Sequence, residues 1–127
     1  MCKNKCHTAI LQCRGIFVGI HRKYIEQTFT DFELLAIDDG STDGSVAVIK
    51  SFNDKRIHLI TLEHNFIASL NYGLKISKGK FIARMDADDI MLPNRLQIQH
   101  DFMERKFNVD ICANCAESFG NTCGTMQ

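Results

Sequence analysis

A chain of 127 residues, 45% hydrophobic and 24% charged, has room for one modest domain with a real core and is neither disordered nor fibrous. Fifteen basic and fifteen acidic side chains cancel, and no basic patch marks a nucleic-acid surface. No apolar run approaches the roughly 20 residues that cross a bilayer. Lys3 and Lys5 mimic the basic start of a signal peptide, but Arg14, His21, Arg22 and Lys23 interrupt the apolar stretch that should follow. Cytoplasmic residence is expected, with a place beside a membrane through a partner as the alternative.

Along the chain, Thr8 to Leu11 offers a short strand and the stretch from about Ile16 to Gln27 a helix, neither with a good start signal. Phe32 to Ile37 reads as an apolar strand. Thr42 or Asp43 then caps a helix carrying Val46 and Ile49, which Asn53-Asp54 ends. Arg56 to Leu62 alternates only partly, as a strand covered on both faces does. Ile67 to Ile76 has helical spacing, Gly79 stops it, and Phe81 to Met85 is the next strand. Pro93 opens a helix with Leu96, Ile98, Phe102 and Met103 on its apolar face. Val109 to Ala113 is a last strand, and a polar tail follows from Ser118. Alternation of strand and helix predicts a largely parallel sheet.

Six cysteines sit at the two ends: Cys2, Cys6, Cys13, Cys112, Cys115 and Cys123. Cys112 and Cys115 have the gap of a zinc half-site, and Cys2 and Cys6 would supply a second pair. Cys112 lies in the last apolar run, however, so buried structural thiols are the favoured reading, and the compartment disfavours disulfides.

Two acidic clusters end two of the strands. Asp38-Asp39-Gly40-Ser41-Thr42-Asp43-Gly44 is rich in turn formers and caps, and a carboxylate there can accept from a base N–H or a ribose hydroxyl. The helix that follows presents N–H groups suited to anions; a plain strand–turn–helix connection is the alternative. In Asp86-Ala87-Asp88-Asp89 the first two carboxylates are two residues apart, so an extended segment aims both to one side, where a hard divalent cation finds oxygen ligands. Helix capping by Asp89 is the plainer reading. Two such strands side by side form one acidic crevice at the mouth of an α/β sheet, where open sheets of this kind bind ligands.

In order and spacing, Gln27 to Leu34, Asp38 to Gly44, Ser69-Leu70-Asn71-Tyr72-Gly73, Lys78 to Asp89 and Leu92-Pro93-Asn94-Arg95-Leu96 resemble the front half of family 2 glycosyltransferases with the GT-A fold. The resemblance covers about residues 25–119 of a single partial family domain; residues 1–24 diverge and residues 120–127 form a frayed tail. It implies a Rossmann-like GT-A half-domain with about four or five strands flanked by helices. The implied activity is inverting transfer of a sugar from a nucleotide-diphospho-sugar, usually a UDP-sugar, to a saccharide or lipid-linked acceptor in polysaccharide biosynthesis. Asp39 would contact the base with Asp38 beside it. Asp86 and Asp88 match the family's DxD motif, Asp88 as the direct metal ligand and Asp86 near the ribose or metal. Mn2+ or Mg2+ would neutralise the diphosphate leaving group. Asn71 and Arg84 would lie near the donor, with packing or surface roles as equal alternatives.

The sequence departs from the family in two places. The first strand of such enzymes ends in a Pro-Val-Tyr-Asn-like turn that also holds the nucleotide; Thr8 to Arg22 has no such turn, and Leu11, Gln12 and Cys13 stand in its place. The family's catalytic base comes from a later part of the chain and is expected beyond Gln127, since Asp110 and Glu117, the acids after Arg105, sit in no base motif. The expectation is a donor-binding half, either an incomplete enzyme or a non-catalytic remnant. A receiver-like phosphoacceptor domain also pairs acids at strand ends, but it needs its acid pair after the first strand and a later Lys, and no Lys follows Lys106.

Overall fold

The structure, a computed structural model, describes residues 7–13, 24–63, 65–86 and 89–115. Along it run β1 (His7–Cys13), β2 (Phe32–Asp38), α1 (Ser45–Ser51), β3 (Ile57–Thr61), α2 (Phe66–Ile76), β4 (Phe81–Asp86) and α3 (Arg95–Arg105). The four strands form one sheet in the order β3-β2-β1-β4, with every pair parallel. This is the expected α/β architecture, with four strands among the described residues.

β2 is buried over its whole length, as a strand of a parallel sheet covered on both faces must be, and its sequence is correspondingly almost all apolar. Alternate residues feed two cores. Phe32, Leu34 and Ala36 join Ala83 and Met85 of β4, Ile49 of α1, Leu96 of α3, and Tyr24 and Met91. Leu35 and Ile37 face the other way, against Leu70 and Ile76 of α2 and Ile60 of β3. Each fully buried side chain of this size contributes about 1.5–3 kcal/mol. Glu33 and the terminal Asp38 are the polar residues of β2, and Glu33 Oε1 accepts a hydrogen bond from the Lys78 amide at 3.0 Å, which offsets the cost of burying it.

Several expectations are corrected. Val109 to Ala113 is not a strand: the segment has no regular structure and Ile111 is 86% exposed, so its short apolar run has neither a paired edge nor a buried face. β3 is an edge among the described strands, and its His58 and Thr61 are exposed rather than covered. Pro93 precedes α3, which begins at Arg95 with Asn94 as N-cap, so Asp89 does not cap it. Gly44, not Thr42 or Asp43, is the N-cap of α1. Ser77 rather than Gly79 ends α2, its amide donating to the Gly73 carbonyl. The expected first strand is present and longer than anticipated, whereas most of the expected helix near Ile16–Gln27, together with Cys2, Cys6, Cys123 and the tail from Ser118, lies outside the described residues.

Candidate functional site at the carboxyl edge of the sheet

Strand order reverses at β1. The chain runs from β1 to β2 to β3 on one side, then returns to place β4 on the other. At such a reversal the loops leaving neighbouring strands diverge and open a crevice at the carboxyl ends. Asp38 and Asp86, the described strand ends that open the two acidic clusters, lie at this edge, but they are not adjacent as expected. β1 lies between them, with Cys13 paired to Asp38 and Gln12 paired to Asp86. Two strand spacings, roughly 10 Å, therefore separate the two strand ends. The divergent N-terminal segment thus supplies the strand that keeps the two clusters apart.

Register also sets the faces. Ile37 and Asp86 are both level with Gln12, so Asp86 belongs to the α2 face of the sheet, while Asp38 belongs to the face covered by α1 and α3. The Asp38 carboxylate is 2% exposed, and its Oδ1 accepts from the Ser41 amide at 3.1 Å. It closes the turn. Asp39, also 2% exposed, accepts at Oδ1 from the Asn65 amide (2.8 Å) and the buried Ser69 hydroxyl (3.0 Å). It thereby ties the end of β2 to the start of α2, where Asn65 caps the helix by accepting from the Ala68 amide at 3.0 Å. Gly40 follows with φ 81°, a left-handed conformation that a side chain makes costly. Among the described residues, the Ser41 hydroxyl is a buried polar group with no hydrogen-bond partner.

The N-terminal turn of α1 does not offer the anion site that sequence favours. Its Ser45 amide is taken by the Asp43 carboxylate at 3.0 Å, and the helix has only seven residues.

The β4 end is more open. The Asp86 side chain is 49% exposed, and its Oδ1 accepts from the Arg84 guanidinium at 3.0 Å. Arg84 is itself exposed and lies 5.7 Å from the centre of the Phe66 ring at the start of α2. Asp88, the expected metal ligand, lies outside the described residues. Among the described residues no three His, Cys, Asp or Glu side chains come together as a metal cage. Asp86 is a half-exposed carboxylate with one oxygen bonded to an exposed guanidinium, the kind of oxygen donor that a hard cation takes. Asn71 is exposed on α2, two residues from the buried Ser69, so it does not share the face that packs on the sheet. Cys112 is half-buried and Cys115 exposed, both as free thiols.

Sequence reasoning missed the residues that hold the β4 end. The segment 24–28 is bonded to it at several points. The Tyr24 hydroxyl lies 3.0 Å from the Asp86 carbonyl and 3.2 Å from the Asp89 carbonyl. The Gln27 amide donates to the Leu92 carbonyl (2.8 Å) and accepts from the Leu96 amide (3.2 Å), and the Thr28 amide donates to the Pro93 carbonyl (2.8 Å). Arg95 sits partly buried beside Asp89 and Tyr24. Burial pulls its pKa below the usual arginine value, and the Asp89 charge opposes that shift. No local pattern announces these contacts, because they join residues more than sixty positions apart.

A family model described as Glycosyl transferase family 2 matches residues 19–125. The chain is 39% identical over 89 residues to an uncharacterized glycosyltransferase of Haemophilus influenzae, covering 67% of this chain and 28% of that protein. It is 38% identical over 81 residues to WfgD of Escherichia coli, named a UDP-Glc:alpha-D-GlcNAc-diphosphoundecaprenol beta-1,3-glucosyltransferase, covering 62% of this chain and 32% of WfgD. It therefore spans about a third of the length of these curated relatives. Among solved structures, TarS of S. aureus superposes with a TM-score of 0.69 at 22% identity, over 78% of this chain and 19% of TarS, and shares the fold.

Proposed function

The chain belongs to glycosyl transferase family 2, and from that premise we propose that it carries the donor-binding half of an enzyme that moves a sugar from a nucleoside diphosphate, a UDP-sugar, to a saccharide or lipid-linked acceptor. The observation that carries this reading is the placement of two acid-bearing strand ends on either side of β1, at the reversal point of a parallel sheet. The donor and acceptor named for WfgD support the substrate classes.

In this reading the Asp38–Asp43 turn lies against the nucleoside. Asp39 serves it largely by orientation: bonded to Asn65 and Ser69, it holds the Gly40–Ser41 segment in place. The unpartnered Ser41 hydroxyl favours a polar ligand there. Asp86 and Asp88 would hold Mn2+ or Mg2+, which when bound stabilises the negative charge of the departing diphosphate. Arg84, released from Asp86, would pair with the same phosphates, and the exposed Asn71 would lie near the donor. A base elsewhere in such an enzyme removes the acceptor's proton.

Calorimetric titration of the 127-residue chain with UDP, with and without Mn2+, tests the assignment. We expect metal-dependent binding that weakens more than about tenfold in Asp86→Asn, the loss of one charge-assisted contact. Binding that is equally strong without metal, or indifferent to Asp86→Asn, would remove the metal half of the site. Sugar transfer by this chain alone would show that it carries a base as well.

A further inference from the structure

Resting on the donor-site reading above, we propose that Tyr24 is a positioning residue for Asp86 at the end of β4. Its side chain is fully buried, in the core with Met85, Met91 and Leu96. A buried tyrosine needs a partner for its hydroxyl, and this one finds two carbonyls, those of Asp86 and Asp89. The same Asp86 carbonyl accepts the Asp89 amide at 3.1 Å. One phenolic proton is thus shared between the carbonyls of Asp86 and Asp89, and both are tied to a ring that cannot move without disturbing the core.

The consequence is specific. The Asp86 carboxylate is half exposed and, among the described residues, has the exposed Arg84 alone to direct it, so its position depends on where its backbone is held. Tyr24 holds that backbone from inside the fold, and Gln27, one helical turn's length further along, holds the next stretch at Leu92 and Leu96. Positioning groups of this kind matter because a ligand site loosened by even a small displacement loses affinity without losing its residues. Tyr24 touches neither nucleotide nor metal in this arrangement; it acts through Asp86.

Tyr24→Phe removes one hydroxyl and keeps the ring. Two measurements on the full chain decide the matter. Amide hydrogen exchange at Asp89 should accelerate in the variant more than exchange at the β2 amides, and Mn2+-dependent UDP binding should weaken about fivefold, the worth of one hydrogen bond, while metal-free UDP binding stays as it was. Ile49→Val, which loosens the same core at α1, should leave both readouts unchanged per folded molecule. Unchanged Asp89 exchange in Tyr24→Phe overturns the proposal, and so does faster exchange with undiminished binding while Asp86→Asn still weakens it. If the parent chain shows no metal-dependent UDP binding, the donor-site reading has failed and the positioning role falls with it, a failure visible before any variant is made.

Discussion

Asp39 and Asp86 each stand at the end of a parallel strand facing the same crevice, yet their surroundings are opposite. Asp39 is 2% exposed and spends its oxygen on the Asn65 amide and the Ser69 hydroxyl. Asp86 is half exposed, faces a single exposed guanidinium, and has its backbone rather than its side chain fixed by the core. The difference teaches that carboxylates at strand ends divide between building the crevice and furnishing it. β2 is interior and covered on both faces, so its terminal acids must be satisfied by the protein; β4 is an edge among the described strands, and its terminal acid stays half exposed with an exposed guanidinium beside it.

The largest effect that could break this contrast is on Asp39. Asp39→Ala leaves the Asn65 amide and the buried Ser69 hydroxyl without their acceptor and should cost about 2 kcal/mol of stability, read as a lower urea midpoint. Asp86→Ala should move the same midpoint by no more than about 0.5 kcal/mol. Equal losses for the two would mean that both acids are structural. Next in size, Gly40→Ala forces a side chain into φ 81° and should cost about 1–2 kcal/mol, checked by thermal melting. A wild-type melting temperature in that variant would show that the turn relaxes and is not rigidly held by Asp38 and Asp39.

The smallest effect concerns pH and leaves the crevice aside. Asp54 accepts from the Arg56 guanidinium and amide, which holds its carboxyl below the ordinary value of 3.8. Arg56 in turn donates to the Ile25 carbonyl at 3.1 Å and stacks 4.5 Å above the centre of the Phe32 ring, which anchors the Tyr24–Thr28 segment from its other side. A depressed carboxylate pKa contributes stability that is complete above the unfolded value near 3.8 and lost as pH falls through the lower folded value. The pair is partly exposed, so about 1 kcal/mol is expected. Asp54→Asn should flatten the stability–pH curve below pH 4; an unaltered curve would assign the acid sensitivity to other groups.

Local pattern made much of this protein legible. The apolar run Phe32–Ile37, the helical spacing after Asn65 and the strand ahead of Asp86 each carry their own signal, because burial on a sheet or under a helix demands a period of 2 or 3.6. The acidic turns were legible for the same reason, as breaks in those periods filled by turn formers. The failures are of another kind. Val109 to Ala113 has the composition of a strand, but pairing depends on an edge being offered. Arg56 to Leu62 has the pattern of a strand covered on both faces, but His58 and Thr61 are exposed, because cover depends on which elements pack beside a strand. The Tyr24–Asp86 bond spans 62 positions, and no window of sequence contains it.

The sequence by itself determined the parallel α/β class, the family and the two acidic strand ends, since these follow from periodicity and motif within short stretches. Only the tertiary structure decided that β1 separates the two clusters, that Asp38 and Asp86 point to opposite faces, and that a tyrosine from the divergent end holds the exposed acid in place. Strand order and register are settled by which surfaces bury each other once the whole chain has collapsed, and that information resides in no single segment.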